Sequence, residues 1–364
     1  MSLVQIGMPS TRGSKILRSG PVLSDRSRRE IRYLRLSLSD RCNLSCTYCR
    51  PPQGIEHVRR ADILTHEEIE LLVREFVRWG IDRLRLTGGE PTVRGGLVEL
   101  VARLADIETG RLSHGGKLEV VMTTNGELIA PMAQSLNDAG LAGVTVSVDS
   151  LDEQRYRAIT RTGRLERLMA GIEALCAAGF KSIKLNTVAL MGFNGDELAE
   201  IAAFAWKLDI IPRFIELMPM SAGELFVPGK LMAAEVIRQR IAVAHGAALE
   251  VERRPVGRAL GPADYRRLRG GPFDGRRFGT IAAMTENFCD GCNRIRITTT
   301  GHLHACLARD DARDLRAALR TSPKRRGRAL EDAVRGALLN KKDAHGFESD
   351  GGGGPMKAMI SIGG

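Results

Sequence analysis

Aromatic residues are scarce in this chain: they make up 4% of 364 residues, with two tryptophans and four tyrosines. Nucleic-acid modules usually interleave aromatics among their cations as stacking platforms, so the scarcity argues against one, even though the formal net charge is +11. No apolar run is long enough to span a bilayer. Acidic residues are in deficit, and unevenly so: residues 251–340 hold 19 Lys/Arg against 10 Asp/Glu. That surplus fits a polyphosphate ligand, a nucleic acid or a solvated basic face. A paired disulfide framework is also lacking. Seven cysteines fall into two tight groups, Cys42/Cys46/Cys49 and Cys289/Cys292/Cys306, with Cys176 apart. The odd count, the clustering and the absence of a recognisable signal peptide favour metal ligation in a reducing compartment, the cytoplasm. The first 24 residues carry Arg12, Lys15 and Arg18 and no acid before Asp25. This composition predicts a basic N-terminal arm over residues 1–30, with organellar targeting the weaker alternative.

What is present is alternation. Strand-like segments at Ile31–Ser37, Arg83–Leu86, Leu118–Met122, Val144–Val148, Ser182–Val188 and Arg213–Leu217 are separated by helical patterns. One helix begins at Thr65, with Glu68 three residues on as a capping box, and shows an Ile69/Leu72/Val73/Phe76/Val77 stripe before Gly80. Another presents Leu165, Leu168, Met169, Ile172, Leu175 and Cys176 on one face, so Cys176 reads as a core residue. Six βα repeats predict a parallel sheet with right-handed crossovers, and the alternation leaves open sheet and barrel both possible. Unusual residues gather where each strand ends: SDRCNLSCTYC, TGGEP, TTNG, SVDS, Asn186 and ELMPM. Chemistry at the carboxyl ends of parallel strands is the rule in both architectures. Beyond residue 250 the alternation decays, which predicts a smaller second domain over 251–340 and a glycine-rich tail over 341–364. TSPKRRGR (321–328) reads as an exposed loop, and the tail has too much glycine for a stable helix or strand.

Cys42, Cys46 and Cys49 follow a C-x3-C-x2-C spacing with Tyr48 before the third. Three thiolates are one short of a closed zinc site, although His57 or His66 could supply a fourth ligand. A [4Fe–4S] cluster held by three cysteines would instead keep one iron open. With TGGEP (Thr87–Pro91) following, the loop resembles the radical S-adenosylmethionine superfamily. That resemblance implies S-adenosylmethionine on the open iron, with Tyr48, Gly88, Gly89, Glu90, Ser147 and Met218 at matching cofactor-binding positions. TGGEP lacks the GK[ST] ending of a P-loop.

Cys289, Cys292 and Cys306 repeat the count of three at C-x2-C-x13-C, with His302 and His304 near enough to complete a zinc site. Between the ligands lies NRIRI, whose Arg294 and Arg296 alternate along a predicted strand and so share a face. Paired guanidiniums suit a phosphate or carboxylate. Together with YLRLSLSDRC, RLRLTGGEPTVR, KLNTV, RFIELMPM, GHLHACL and the Gly363–Gly364 end, these motifs resemble the molybdenum cofactor biosynthesis protein A family of GTP 3′,8-cyclases, from about Arg32 to the end of the chain.

The resemblance implies a partial (β/α)6 barrel over 31–250 whose open side is closed by the C-terminal region, and two [4Fe–4S] clusters with one non-cysteinyl iron each. It implies conversion of GTP to 3′,8-cyclo-7,8-dihydroguanosine triphosphate, a lyase reaction at the first committed step of molybdenum cofactor biosynthesis. Arg35, Arg85, Thr123, Lys184, Arg294 and Arg296 match GTP-contacting positions. Gly363 and Gly364 match a terminus that enters the active site and, with Arg35, Arg294 and Arg296, assists catalysis. Implied partners are an electron-donor protein and, downstream, cyclic pyranopterin monophosphate synthase, with no membrane or nucleic acid and a monomer or homodimer as the assembly. Arg94 is followed by Gly95 and Gly96, where family members often carry an arginine and an acid. The 321–328 insertion and the four-glycine run read as elaborations away from the chemistry. Two readings compete: a two-cluster radical enzyme for another substrate, and a zinc-containing nucleic-acid-binding protein.

Overall fold

The computed structural model describes residues 22–109, 116–220, 229–253, 261–348 and 350–363. The six anticipated strands form as β1 (Tyr33–Ser37), β2 (Arg83–Thr87), β3 (Glu119–Thr124), β4 (Gly143–Ser147), β5 (Ile183–Ala189) and β6 (Ile211–Glu216). Between them run α1 (His66–Arg78), α2 (Leu97–Ala105), α3 (Ala133–Asp138), α4 (Glu153–Thr160), α5 (Leu165–Ala177) and α6 (Leu198–Lys207). The capping box of α1 is made: Thr65 accepts from the Glu68 amide and Glu68 from the Thr65 amide. Leu34, Leu36, Leu84, Leu86, Val120 and Met122 point outward from the sheet and pack with Leu72, Phe76 and Leu100 of the helices in one core. Cys176 packs against that core, half-buried, as its helical position suggests.

The later segments are α7 (Ala234–Ala244), β7 (Ala248–Val251), β8 (Asp264–Arg269), β9 (Arg277–Ile281), β10 (Arg294–Ile297), β11 (His302–His304), β12 (Arg313–Asp314), α8 (Leu315–Leu319) and α9 (Pro323–Leu339). Their strands join the sheet of the six repeats. The sheet order is β12-β11-β10-β1-β2-β3-β4-β5-β6-β9-β8-β7, with β10 parallel to β1 and β9 parallel to β6. The parallel run therefore has eight strands, and residues 282–293 pass directly from one edge of it to the other. Side chains from β1 to β6, β9 and β10 line a single cavity, so the sheet curls into an incomplete barrel with this connection across its opening.

Glu216, buried at the end of β6, fastens the connection. Its carboxylate accepts from the Ala234 amide, the Met284 and Thr285 amides and the Thr285 hydroxyl. Replacing it by alanine strands one buried and two part-buried amides, each worth about 1–3 kcal/mol when fully buried. Glu216→Ala is expected to cost about 4 kcal/mol in all, and thus roughly 10 °C in melting temperature. A thermal unfolding scan checks it; a loss under 2 °C would refute the role.

Two expectations need correction. TSPKRRGR is not a loop: Ser322 is the N-cap of α9, and Pro323 sits at the first helical position, where its missing amide is harmless. The stripe that buries this helix, Leu330, Val334, Ala337 and Leu338, lies downstream of the quoted stretch. Nor is the four-glycine run remote. A Cβ on Gly354 would lie 1.8 Å from the Pro219 carbonyl in ELMPM, and one on Gly353 1.5 Å from that of Gly346. Glycine is there because two backbones touch. Met359–Ile362 closes into a single 3-10 turn despite the glycine around it. Of the N-terminal arm, residues 1–21 lie outside the described residues, and Leu23 is buried with its amide donating to the Trp79 carbonyl.

Candidate active site

All six clustered cysteines face the cavity, which measures about 610 Å³. Cys42, Cys46 and Cys49 lie on the loop after β1, beside the GGEP loop after β2. Glycine is required there: a Cβ on Gly89 would meet the Arg41 carbonyl at 2.3 Å, and one on Gly88 the Ser39 carbonyl at 2.7 Å. The two loops are thereby in backbone contact, with the Gly89 and Glu90 amides donating to the Ser39 and Arg41 carbonyls. Glu90 extends the frame to the TTNG loop, accepting from the Thr92 amide and hydroxyl, the Thr124 hydroxyl and the Asn125 amide. Burial raises its pKa against those donors.

Burial also pushes the Cys42 thiol up to about 11 and Cys49 to about 12, and raises Cys46 well above its usual value with help from Asp149 and the other two sulfurs. Three mutually coupled thiols that resist ionisation await positive charge. Zinc fits poorly. A zinc site draws its sulfurs to about 2.3 Å from one point, and among the described residues no three Cys, His, Asp or Glu side chains converge so. Of the possible histidine ligands, His57 pairs with Asp40, His66 with Arg94 and His302 with Thr300, while His304 is buried with neither ring nitrogen hydrogen-bonded and does not line the cavity. An iron–sulfur cluster, whose iron atoms each take a separate thiolate, accounts for three cysteines without a fourth protein ligand.

Tyr48 donates to Asp149 at 2.5 Å, and Asp149 also accepts from the Val188 amide. Burial raises this carboxyl to about 6. Asp149 escaped the sequence reading as a site residue, though it stands two residues after Ser147 in the VSVDS strand end. Ser147 and Met218 both line the cavity near it.

The second trio lies on the 282–293 connection and just after β11. Arg294 Nη2 approaches Cys292 Sγ at 3.7 Å, with its guanidinium 4.9 Å above the Phe288 ring. Burial would raise the Cys292 thiol, but Arg294 and Lys341 outweigh it and bring it down to about 6. Between the trios the barrel wall is cationic. Arg35 and Arg296 are cross-strand neighbours, as are Arg35 and Arg85. Burial depresses Arg35 strongly, and Arg296 and Arg85 add to it; burial brings Arg296 to about 10. Lys184 falls to about 7 through burial and then Arg213, Arg83 and Arg85. Tyr33, raised by burial but lowered more by Arg85, Arg83 and Arg35, ends near 8.

Among the described residues, no carboxylate forms an ion pair with Arg35, Arg85, Lys184, Arg213, Arg294 or Arg296. Arg85 is held by Tyr33, Thr123, Thr145 and the Met122 carbonyl. The Nε atoms of Arg35 and Arg213 and Oδ1 of Asn186 are buried without partners. Such a surface is built to receive an anion. Arg213 was not anticipated, although a charge at an alternating position within RFIE is its signature.

The tail enters the same space. The Ile362 carbonyl accepts from Arg296 at 3.4 Å, the Ile360 amide donates to Cys49, and Met359 lines the cavity. Gly363 has φ +74°, and a Cβ there would approach that of Ser37 to 3.0 Å. Gly364 lies outside the described residues.

The eight-stranded parallel run with three cysteines and a glycine loop at its carboxyl end defines a radical S-adenosylmethionine enzyme. The Radical SAM superfamily model matches residues 36–205, and that described as Molybdenum Cofactor Synthesis C matches 210–347. The crystal structure of Streptococcus suis SuiB bound to S-adenosylmethionine superposes with a TM-score of 0.60 at 15% identity, covering 88% of this chain and 68% of that one, which bears on fold alone. A GTP 3′,8-cyclase of Geobacter sulfurreducens is 39% identical over 94% of this chain and 99% of its own length. GTP 3′,8-cyclase 1 of Pseudomonas aeruginosa is 40% identical over 92% and 97%. The chain belongs to the GTP 3′,8-cyclase family.

Proposed function

We propose that the protein converts GTP to 3′,8-cyclo-7,8-dihydroguanosine triphosphate, opening molybdenum cofactor biosynthesis. The observation that carries this reading is the uncompensated cationic wall between two cysteine trios. A triphosphate brings about four negative charges, and buried cations without acids are stable only when such charge arrives. Cys42, Cys46 and Cys49 would hold the first [4Fe–4S] cluster, and Cys289, Cys292 and Cys306 the second. Bound there, the first cluster would supply one-electron cleavage of S-adenosylmethionine, the source of the radical chemistry on GTP.

The chain's own residues bind and orient. Gly88 and Gly89 keep the cofactor loop close, Glu90 fixes its geometry, and Tyr48, Ser147 and Met218 wall the cofactor side. Arg35, Lys184, Arg294 and Arg296 face the substrate, with Arg213 joining them. Arg85 and Thr123 hold one another and shape the floor. Gly363, against Ser37, and the Ile362 carbonyl on Arg296 close the enclosure, and the family resemblance assigns Gly364 to the same end. Among the described residues no helix is long and apolar enough to cross a membrane. A cytoplasmic setting, an electron-donor protein and a downstream cyclic pyranopterin monophosphate synthase belong to this reading.

Anaerobic reconstitution with iron and sulfide, then incubation with dithionite, S-adenosylmethionine and GTP or ATP, tests it. GTP alone should yield 5′-deoxyadenosine together with a new nucleotide isomeric with GTP. Deoxyadenosine at the same slow rate with either nucleotide would point to another substrate.

Lys184 makes the binding pH-linked. Its pKa near 7 in the free protein is depressed, and a triphosphate pulls it back toward the ordinary lysine value. Affinity for GTP is thus highest below pH 7 and falls by up to about tenfold per pH unit above it. At about pH 7.5, calorimetry in buffers of differing ionisation enthalpy should show uptake of more than half a proton per GTP. Lys184→Met should remove most of it; unchanged uptake would discard the assignment.

A further inference from the structure

Lys341 lies directly after α9, next to the equally basic Lys342, yet it is 3% exposed. An ammonium has three donors, and all three are spent: on the Ala305 carbonyl, the Arg294 carbonyl at 3.2 Å and Cys292 Sγ at 3.6 Å. Among the described residues no carboxylate pairs with it. A buried ammonium facing two carbonyls lacks a counter-charge, and leaving it so is expensive. Of its three partners, the sulfur alone can become an anion.

The residues that follow are secured as well. Arg29, itself anchored to Asp25 at 2.6 Å, donates to the Cys289 carbonyl at 2.8 Å. The same guanidinium reaches the Lys342 carbonyl at 2.8 Å and that of Asp343 at 3.1 Å. The 341–343 segment thus touches two of the three cysteine positions from outside the cavity. The Ala305 carbonyl, immediately before Cys306, adds the third.

We propose that Lys341 is a positioning residue for the second iron–sulfur cluster: it balances the charge of the Cys292 thiolate, aligns it by an N–H···S hydrogen bond and raises the reduction potential of the cluster. The inference rests on the proposed cluster at Cys289, Cys292 and Cys306. Hydrogen bonds to cluster sulfurs and nearby positive charge favour the reduced state, so a neutral side chain at 341 must move the potential to more negative values. Arg294, which contacts the same sulfur, also faces the substrate cavity; Lys341 does not line the cavity, so its effect reaches the substrate only through the cluster.

The test uses the full chain with Cys42, Cys46 and Cys49 replaced by alanine, so that only the second site can take up iron. Absence of iron and of an electron paramagnetic resonance signal in this parent would defeat the cluster assignment itself, a failure separate from that of Lys341. With the cluster present, redox titration followed by the same spectroscopy compares the parent with Lys341→Met, Lys341→Gln and Lys341→Arg. The expected order places methionine at the most negative midpoint, glutamine between, and arginine nearest the parent, with an altered spectrum for methionine. Equal midpoints and spectra across the four proteins would overturn the proposal. If the methionine protein does not retain iron, glutamine against arginine decides: a more negative midpoint for glutamine supports the role, and coincident values overturn it.

Discussion

A Cys46→Ser protein is expected to form neither 5′-deoxyadenosine nor cyclised product, whereas Cys289→Ser should continue to release deoxyadenosine while making no product. The asymmetry follows from where the two trios sit. Cys46 belongs to the trio on the loop fastened to the GGEP frame and lines the cavity with Tyr48, Glu90 and Ser147, the residues assigned to the cofactor. Cys289 is on the 282–293 connection beside Arg294, on the substrate side of the cavity. Without the first cluster no electron reaches S-adenosylmethionine, and its cleavage should fall by at least about a thousandfold, because the hard chemistry resides in that group. Without the second, the radical source survives but its target is misplaced. Iron analysis should show half the parent's content in each variant. Equal loss of deoxyadenosine in both would mean the sites are not independent, and the division of labour would have to be abandoned.

Replacing Arg35 by methionine should move binding and stability in opposite directions. Arg35 sits in register with Arg85 on one side and Arg296 on the other, and its Nε has no partner. In the free protein the three guanidiniums repel, which is part of why Arg35 gives up its proton more readily than usual. Methionine keeps the length and removes the charge. Substituting apolar groups for poorly compensated buried charge commonly stabilises by about 1–4 kcal/mol; at the lower end, because Arg35 is only partly buried, the melting temperature should rise by roughly 2–4 °C. Losing a cation that faces a phosphate inside the cavity costs about 2–5 kcal/mol of binding, so KM for GTP should increase about a hundredfold or more. Deoxyadenosine formation without GTP should not change. A melting temperature that falls together with an unchanged KM would show that Arg35 is structural.

Much of this site was legible because chemistry demands residue types at short range. The cysteine spacings, Gly88–Gly89 and the Arg294/Arg296 alternation are all local. Charged residues at alternating positions in otherwise apolar strands, such as Arg83/Arg85 and Lys184, also announce an interior that receives anions, since helices cover the other face. What stayed hidden depends on contacts distant in sequence. RFGTI, now β9, carries no more strand signal than its neighbours, and its pairing with β6 is set by closure of the barrel. Lys341 and Lys342 are indistinguishable as letters; only the path of the chain after α9 buries one of them. The four glycines looked like slack because composition cannot show that Pro219 and Gly346 press against them.

The connection across the barrel opening has a consequence for how the holoenzyme is made. Residues 282–293 leave one margin of the parallel run and arrive at the other, carrying Cys289 and Cys292 near the β10 end. Nothing else among the described residues links those margins so directly, so the metal-free chain should breathe at this seam. Iron delivered to the second trio would then act as a rivet, joining the connection to Cys306 beyond β11. The first trio sits on a loop already fastened to the GGEP frame, so its place does not depend on that rivet.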